Sequence, residues 1–309
     1  MAIPGDFPFI RYLSAKKSVD DRSLNRTVWQ ELTGAVSSRG EDEPLRVLEI
    51  GGGIGTMIAR TADWGLLKRA ECTVLDAMPE NIAHAGSYLR AWADRSGYRF
   101  EQGDPSEIRL TATDREIMVK LETGDVFHFL SDRGNEPGWD LLIANAFLDL
   151  VDVPSALPDL LSLLRPKGLF YFTINFDGTT IFEPEIDPAL DEQIQALYHR
   201  TMDERIIQGR PSGDSRTGRH LFEYIRRAGA ELLAAGASDW VVFAGADGYP
   251  EDEEFFLHFI VHTVGCALEN HPELDSKRFE QWLHERHDQV ERRILVYIAH
   301  QMDFVGRVR

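Results

Sequence analysis

The segment Val47-Leu48-Glu49-Ile50-Gly51-Gly52-Gly53-Ile54-Gly55-Thr56 constrains this chain more than any other. Its first four residues form an apolar run with little polar alternation, the pattern of a strand covered on both faces. The glycines that follow permit a tight turn and a close approach of backbone to ligand. Residues 56–67 then have helical character, so unpaired N–H groups and the positive end of a helix dipole face the loop. Strand, glycine loop and helix in that order imply a layered α/β fold with a nucleotide-like ligand.

The rest of the chain extends this pattern. Apolar runs at 46–50, 72–75, 141–147 and 169–174 read as buried parallel strands. Helices are expected at 56–67, 79–95 and 154–164, the last closed by Arg165-Pro166-Lys167-Gly168. Residues 98–121 read as a small β-hairpin leading into the strand before Asp125. Residues 176–217 look inserted, with a helix around 191–207. A helix at 219–228 precedes strands at 231–235 and 240–244, read as a closing antiparallel pair, and helices are expected at 253–268 and 278–305. Near the start, Phe7, Phe9 and Tyr12 precede a helix carrying Leu24, Val28, Leu32 and Val36, with Asp20 or Asp21 as its cap and an acidic turn at 41–44. The organisation expected is an N-terminal helical segment or lid at 1–43, a nucleotide-binding unit at 44–245 with its insertion at 176–217, and a C-terminal helical extension at 246–309. At 309 residues, 43% of them hydrophobic, the chain has ample apolar surface for a core.

The loop's chemistry narrows the ligand. A dinucleotide fingerprint G-x-G-x-x-G begun at Gly51 needs glycine at position 56, where this chain has Thr56. Glu49 stands at the loop's mouth, and a carboxylate there opposes a pyrophosphate but favours an ammonium or sulfonium group. S-adenosylmethionine combines those cations with an adenosine and no phosphate, and fits better than NAD or ATP. Gly51, Gly53 and Gly55 would line it with backbone. Asp76, at the end of the next apolar run, is placed to accept from ribose hydroxyls, although it has a second use as the cap of the helix beginning near Pro79. Ala77 or Met78 would pack on the adenine, and Asp125, beside Val126, would accept from its amino group.

Together, residues 47–56, Asp76, Asp125 and the stretch 139–175, with Asp140-Leu141-Leu142-Ile143-Ala144-Asn145 and the Pro-Lys-Gly turn at 166–168, resemble the successive motifs of class I S-adenosylmethionine-dependent methyltransferases. Lys167 replaces the family's usual first glycine. The resemblance spans roughly 44–245. It implies a Rossmann-like sheet of seven mostly parallel strands flanked by helices, the last strand antiparallel, with the cofactor across the strand ends and S-adenosylhomocysteine as product. The acceptor would then lie past the fourth and fifth strands. Asn145 would fix polar atoms there, and Asp149, with Tyr198 and His199 from the insertion, would supply a base. Tyr12, Phe147, Asn175 and Arg216 would line the acceptor. Four of these residues have a competing use: core packing for Phe147, a turn for Asn175, a surface or satisfied core position for His199, and a pairing with the chain's own acids for Arg216.

Charge bounds the partners. Thirty-three Lys and Arg against 51 Asp and Glu give 33 − 51 = −18, which repels nucleic-acid backbones and anionic membranes. No apolar stretch reaches the ~18 residues of a membrane span, and residues 1–6 lack the pattern of a secretory signal. A cytoplasmic protein is expected, with Cys72 and Cys266 as reduced core residues. His258 with His262, and His300 with Asp303, share helix faces but complete no recognised metal pattern. The additions around the nucleotide-binding unit suit an enclosed pocket, hence a small-molecule acceptor. The C-terminal helices would cover the sheet or meet a second copy in a homodimer. Two other readings stay open. Aminopropyl transfer from decarboxylated S-adenosylmethionine would suit an acidic groove, though Ile54 stands where that family carries an acidic residue. A non-catalytic nucleoside-binding scaffold would use the extensions for assembly.

Overall fold

The computed structural model describes residues 7–39, 43–133, 138–207 and 209–309. Helices α1 (Phe9–Ser23) and α2 (Arg26–Ser37) open the chain. They separate at Asn25, whose side chain accepts from the backbone N–H groups of Thr27 and Val28 and so caps α2. Asp20 and Asp21, the caps expected from sequence, instead lie inside α1 and pair with Lys16 and Lys17 one turn earlier. The expected acidic turn at 41–44 and the segment at 1–6 fall partly or wholly outside the described residues.

Strands and helices then alternate: β1 (Leu45–Ile50), α3 (Thr56–Asp63), β2 (Arg69–Asp76) and α4 (Pro79–Ser96). The expected hairpin is β3 (Arg99–Asp104) with β4 (Glu107–Ala112), and β4 pairs antiparallel in turn with β5 (Arg115–Thr123). There follow α5 (Val126–Arg133), β6 (Trp139–Asn145), α6 (Val153–Ser162) and a long β7 (Leu164–Glu183). Residues 176–183 of the expected insertion instead continue β7 and pair with β12, so the insertion reduces to α7 (Pro188–Asp203) and the short strands β8 (Ile206–Ile207) and β9 (Arg210–Pro211). The chain closes with α8 (Thr217–Arg227), β10 (Glu231–Ala237), β11 (Trp240–Val242), α9 (Glu253–Ala267), α10 (Ser276–Glu291) and β12 (Val296–Arg307).

The main sheet runs β10-β12-β7-β6-β1-β2-β5-β4-β3, with β11 also paired to β12. Within it, β5-β2-β1-β6-β7-β12-β10 is the implied seven-stranded arrangement, and β12 runs antiparallel to both β7 and β10. The identity of its closing strand corrects the sequence reading. Strands β10 and β11 do not pair with each other. Each pairs with a different part of β12, a strand in the stretch 278–305 expected to be one helix. The helix stops because Arg293 takes a left-handed conformation (φ 59) without the glycine that usually signals it. Beyond that point β12 alternates burial but buries Gln301 and Asp303, so its polar residues conceal the strand period. His300 and Asp303 therefore lie on a strand rather than a helix.

Two cores clothe the sheet faces. One joins α2, α3 and α4 through Leu32, Ile58 and Trp92, and the other joins α5, α6 and α8 through Phe129, Leu157 and Ile225. A third roofs the strand ends with α1, α7, α9 and α10, through Val19, Ile194, Phe256 and Trp282. There Asp191 of α7 accepts from Trp282 Nε1 and Arg286 of α10, both at 2.5 Å. Cys72 is buried in β2 as expected, whereas Cys266 is exposed on α9, its Sγ 3.4 Å from His262 Nε2. His258 meets His287, with 2.7 Å between the two Nδ1 atoms. No group of three metal-ligating side chains is present among the described residues. None of the described helices is long and apolar enough to cross a membrane.

Candidate active site

Strand order reverses between β1 and β6, whose following helices α3 and α6 pack on opposite faces, leaving a crevice at the carboxyl ends of the strands. A cavity of about 740 Å³ occupies it. The glycine loop forms one wall. Gly51 adopts φ 61, and a Cβ there would come within 2.6 Å of Phe147 Cδ2, so the loop passes beneath the Phe147 ring only as glycine. A Cβ on Gly52 would strike Val74 at 2.4 Å, while its N–H donates to the Leu75 carbonyl. Gly53 donates to Asp76 Oδ2 at 2.8 Å.

Two acids flank this loop with different partners. Asp76 accepts at Oδ1 from the Met78 backbone and from Asn81 Nδ2, so it does hold the start of α4, while it also lines the cavity beside Ala77 and Met78. Glu49 is almost fully buried and its Oε2 has no hydrogen-bond partner. Burial lifts its carboxyl to about 8, and Arg60 opposes that rise only in part.

The opposite wall comes from distant parts of the chain. Helix α1 lays Leu13 over Gly53 and carries the buried pair Lys16 and Asp20, 2.5 Å apart. Asp20 also accepts from Trp240 Nε1 at 2.9 Å and from Asn145 Nδ2 at 3.3 Å, which fixes α1 to β11 and to the end of β6. Asn145 in turn accepts from Thr173. The Tyr12 ring stacks on Phe259 at 4.0 Å, and Tyr12, Tyr198 and Tyr297 all face the cavity. Burial raises all three phenols, that of Tyr198 to about 12. Asp149, on the turn after β6, has a buried Oδ1 without a partner, and burial raises its carboxyl to about 6. Two wall positions, Ala146 (φ 51) and Ile174 (φ 56), are left-handed without glycine. Such backbone costs on the order of 1–3 kcal/mol, and the Ile174 N–H is held by Asp303 Oδ1 at 2.8 Å.

Of the residues expected from sequence, Glu49, Gly51, Gly53, Asp76, Ala77, Met78, Asn145, Phe147, Asp149, Tyr198 and Tyr12 thus meet around one cavity. Six stand elsewhere. Gly55 precedes α3 with Leu89 beneath it. Asp125 is exposed and accepts from the Phe127 and His128 N–H groups, capping α5, while Val126 packs in the core behind it. His199 turns to Thr180, 3.0 Å away, and burial lowers its basicity. Asn175 is buried against β12, donating to the Met302 carbonyl. Arg216 is exposed at the start of α8. Sequence reading missed Lys16, Arg205, Trp240 and Tyr297 as wall residues and gave Asp20 only a capping role. Only the i,i+4 spacing of Lys16 and Asp20 offered a local signal.

No protein-family model and no curated protein sequence matches the chain. Solved structures similar to it include a SAM-dependent methyltransferase from Thiobacillus denitrificans in complex with S-adenosyl-L-homocysteine, at 15% identity over 98% of this chain and 100% of that one, with a TM-score of 0.47. Another, from Geobacter sulfurreducens with the same ligand, has 16% identity over 98% and 99% and a TM-score of 0.45. The cyclopropane synthase MmaA2 from Mycobacterium tuberculosis has 12% identity over 98% and 99% and a TM-score of 0.44. At these identities and TM-scores the likeness assigns this chain no activity, and what the cavity takes is decided by its own residues.

Proposed function

We propose that this chain transfers a methyl group from S-adenosylmethionine to a small-molecule acceptor in the same cavity. The observation that carries the reading is Glu49: a buried carboxyl with an unpartnered oxygen at the glycine loop, protonated while no cation is near and able to pair with a cationic ligand on giving up that proton. Gly51, Gly52 and Gly53 line the cavity, and the lack of a Cβ lets Phe147, Val74 and Leu13 close against them while the loop stays low at the cavity wall. Glu49, with Asp20 and Asn145 beyond it, would hold the amino-acid end, Asp76 the ribose, and Ala77 and Met78 the adenine.

When bound, that ligand supplies an electrophilic methyl group on a sulfonium. The chain's own contribution is to position the acceptor and manage its proton. Well-oriented reactants can gain roughly 7–11 kcal/mol from placement alone. Asp149, with its carboxyl near 6, is mostly ionised at neutral pH, and its free Oδ1 is able to take a proton from an acceptor. Helices α1, α7 and α9 roof the cavity, which favours a small acceptor over a macromolecular one. The test is to incubate the protein with S-adenosylmethionine and a panel of small amines, phenols and carboxylic acids and to quantify S-adenosylhomocysteine. Product should form with a small acceptor. Formation only with protein or nucleic-acid substrates would overturn the small-molecule assignment.

A further inference from the structure

The cavity wall away from the glycine loop carries two opposite charges that are not paired with one another. Asp149 presents its buried, unpartnered Oδ1. Arg205, just after α7, gives Nε to the Ser212 carbonyl and Nη2 to the Asp149 carbonyl at 3.1 Å, and among the described residues it forms no salt bridge with a carboxylate. In a chain with 18 more acids than bases, a cavity-lining arginine without a carboxylate is informative. The other cation of that wall, Lys16, is already taken by Asp20. The positive charge of Arg205 acts on both the Asp149 carboxyl and the Tyr198 phenol, so the three groups share one neighbourhood.

We propose that this end of the cavity is a subsite for a small zwitterion, an amino acid with an apolar or aromatic side chain, whose ammonium meets Asp149 and whose carboxylate meets Arg205. A simple amine would leave the guanidinium unanswered and a simple acid would leave Asp149 unanswered, and each unanswered charge in a partly buried site is costly. The guanidinium keeps donors free for a carboxylate after its two carbonyl bonds. Around the charged pair the walls are aromatic: Tyr12 stacked on Phe259, with Tyr198, Tyr297 and Phe176 beside them. Such faces suit an apolar side chain and also attract an ammonium. The assignment of this end to the acceptor rests on the methyl-transfer reading, whereas the charge complementarity does not.

The experiment is calorimetry on the protein saturated with S-adenosylhomocysteine, using three probes that share one apolar body: L-phenylalanine, 2-phenylethylamine and 3-phenylpropanoate. The zwitterion should bind about tenfold or more tightly than either fragment. Asp149→Asn should abolish its advantage over the acid, and Arg205→Gln its advantage over the amine, with S-adenosylhomocysteine affinity unchanged in both variants and melting temperature confirming that they fold. Equal binding of zwitterion and fragments, no binding of any probe, or a preference that survives both substitutions would overturn the proposal. If S-adenosylhomocysteine itself failed to bind, the methyl-transfer reading would fall. The same titrations on unloaded protein would then decide the zwitterion site separately.

Discussion

Replacing Glu49 by glutamine removes a titrating group from the cavity floor, and the effect on stability follows from where that group sits. Glu49 is 2% exposed, and burial moves its carboxyl from 4.5 to about 8. In the unfolded chain it ionises near its ordinary value. Between these two pH values the folded state holds a proton that the unfolded state has lost, so its contribution to stability is complete below 4.5 and is lost as pH rises through 8. At about 1.4 kcal/mol per pH unit the whole interval is worth at most ~5 kcal/mol. Glutamine does not titrate. Urea unfolding of Glu49→Gln and wild type, measured from pH 5 to 8.5, should therefore show the difference moving in favour of the variant by a few kcal/mol as pH rises. Asp149 and Asp303, whose carboxyls burial raises to about 6, titrate in both proteins and cancel in the difference. Any fixed cost of burying the amide shifts the variant equally at every pH. Parallel stability curves would refute the reasoning. The same buried proton should leave when a cation binds beside Glu49. Binding of S-adenosylmethionine at pH 7 should thus release a proton in wild type and none in the variant, read from calorimetry in buffers of different ionisation enthalpy.

Three further substitutions probe separate parts of the site and its frame. Asp149→Asn should lower turnover by roughly 10²–10⁴-fold while leaving S-adenosylhomocysteine affinity unchanged, and wild-type activity should rise with pH through about 6 as Asp149 ionises. Gly51→Ala places a Cβ 2.6 Å from Phe147 and forces a left-handed alanine, so calorimetry should show nucleoside binding lost and thermal melting a lower transition. Lys167 is exposed at φ 65. Lys167→Gly should stabilise by roughly 0.5–1 kcal/mol in urea unfolding, the strain relieved less the added freedom of the unfolded chain.

What was legible in the sequence was local. The glycine loop declares itself because the tight turn, the bare backbone and the helix start all need adjacent residues, and Glu49 and Asp76 lie at fixed distances from it. Asp125 shows the limit of such spacing. It follows β5 as expected, yet its carboxylate is used by the N–H groups opening α5. The closing strand was hidden because Arg293 turns the chain without glycine, and because Gln301 and Asp303 are polar residues buried in β12. Asn175 was misplaced for the same reason, since its partner is the Met302 carbonyl of that unseen strand. The far wall was out of reach: Asp20, Arg205, Trp240 and Tyr297 come from four elements or turns brought together only by tertiary packing, and no motif joins them.

The most direct test of the account is isothermal titration of the purified protein with S-adenosylmethionine, S-adenosylhomocysteine and NAD. Micromolar binding of the first two, with no heat from NAD, is the predicted result. Binding of NAD alone, or of none of the three, would contradict it, because the buried carboxyl of Glu49 beside the glycine loop would then not be selecting a cationic nucleoside.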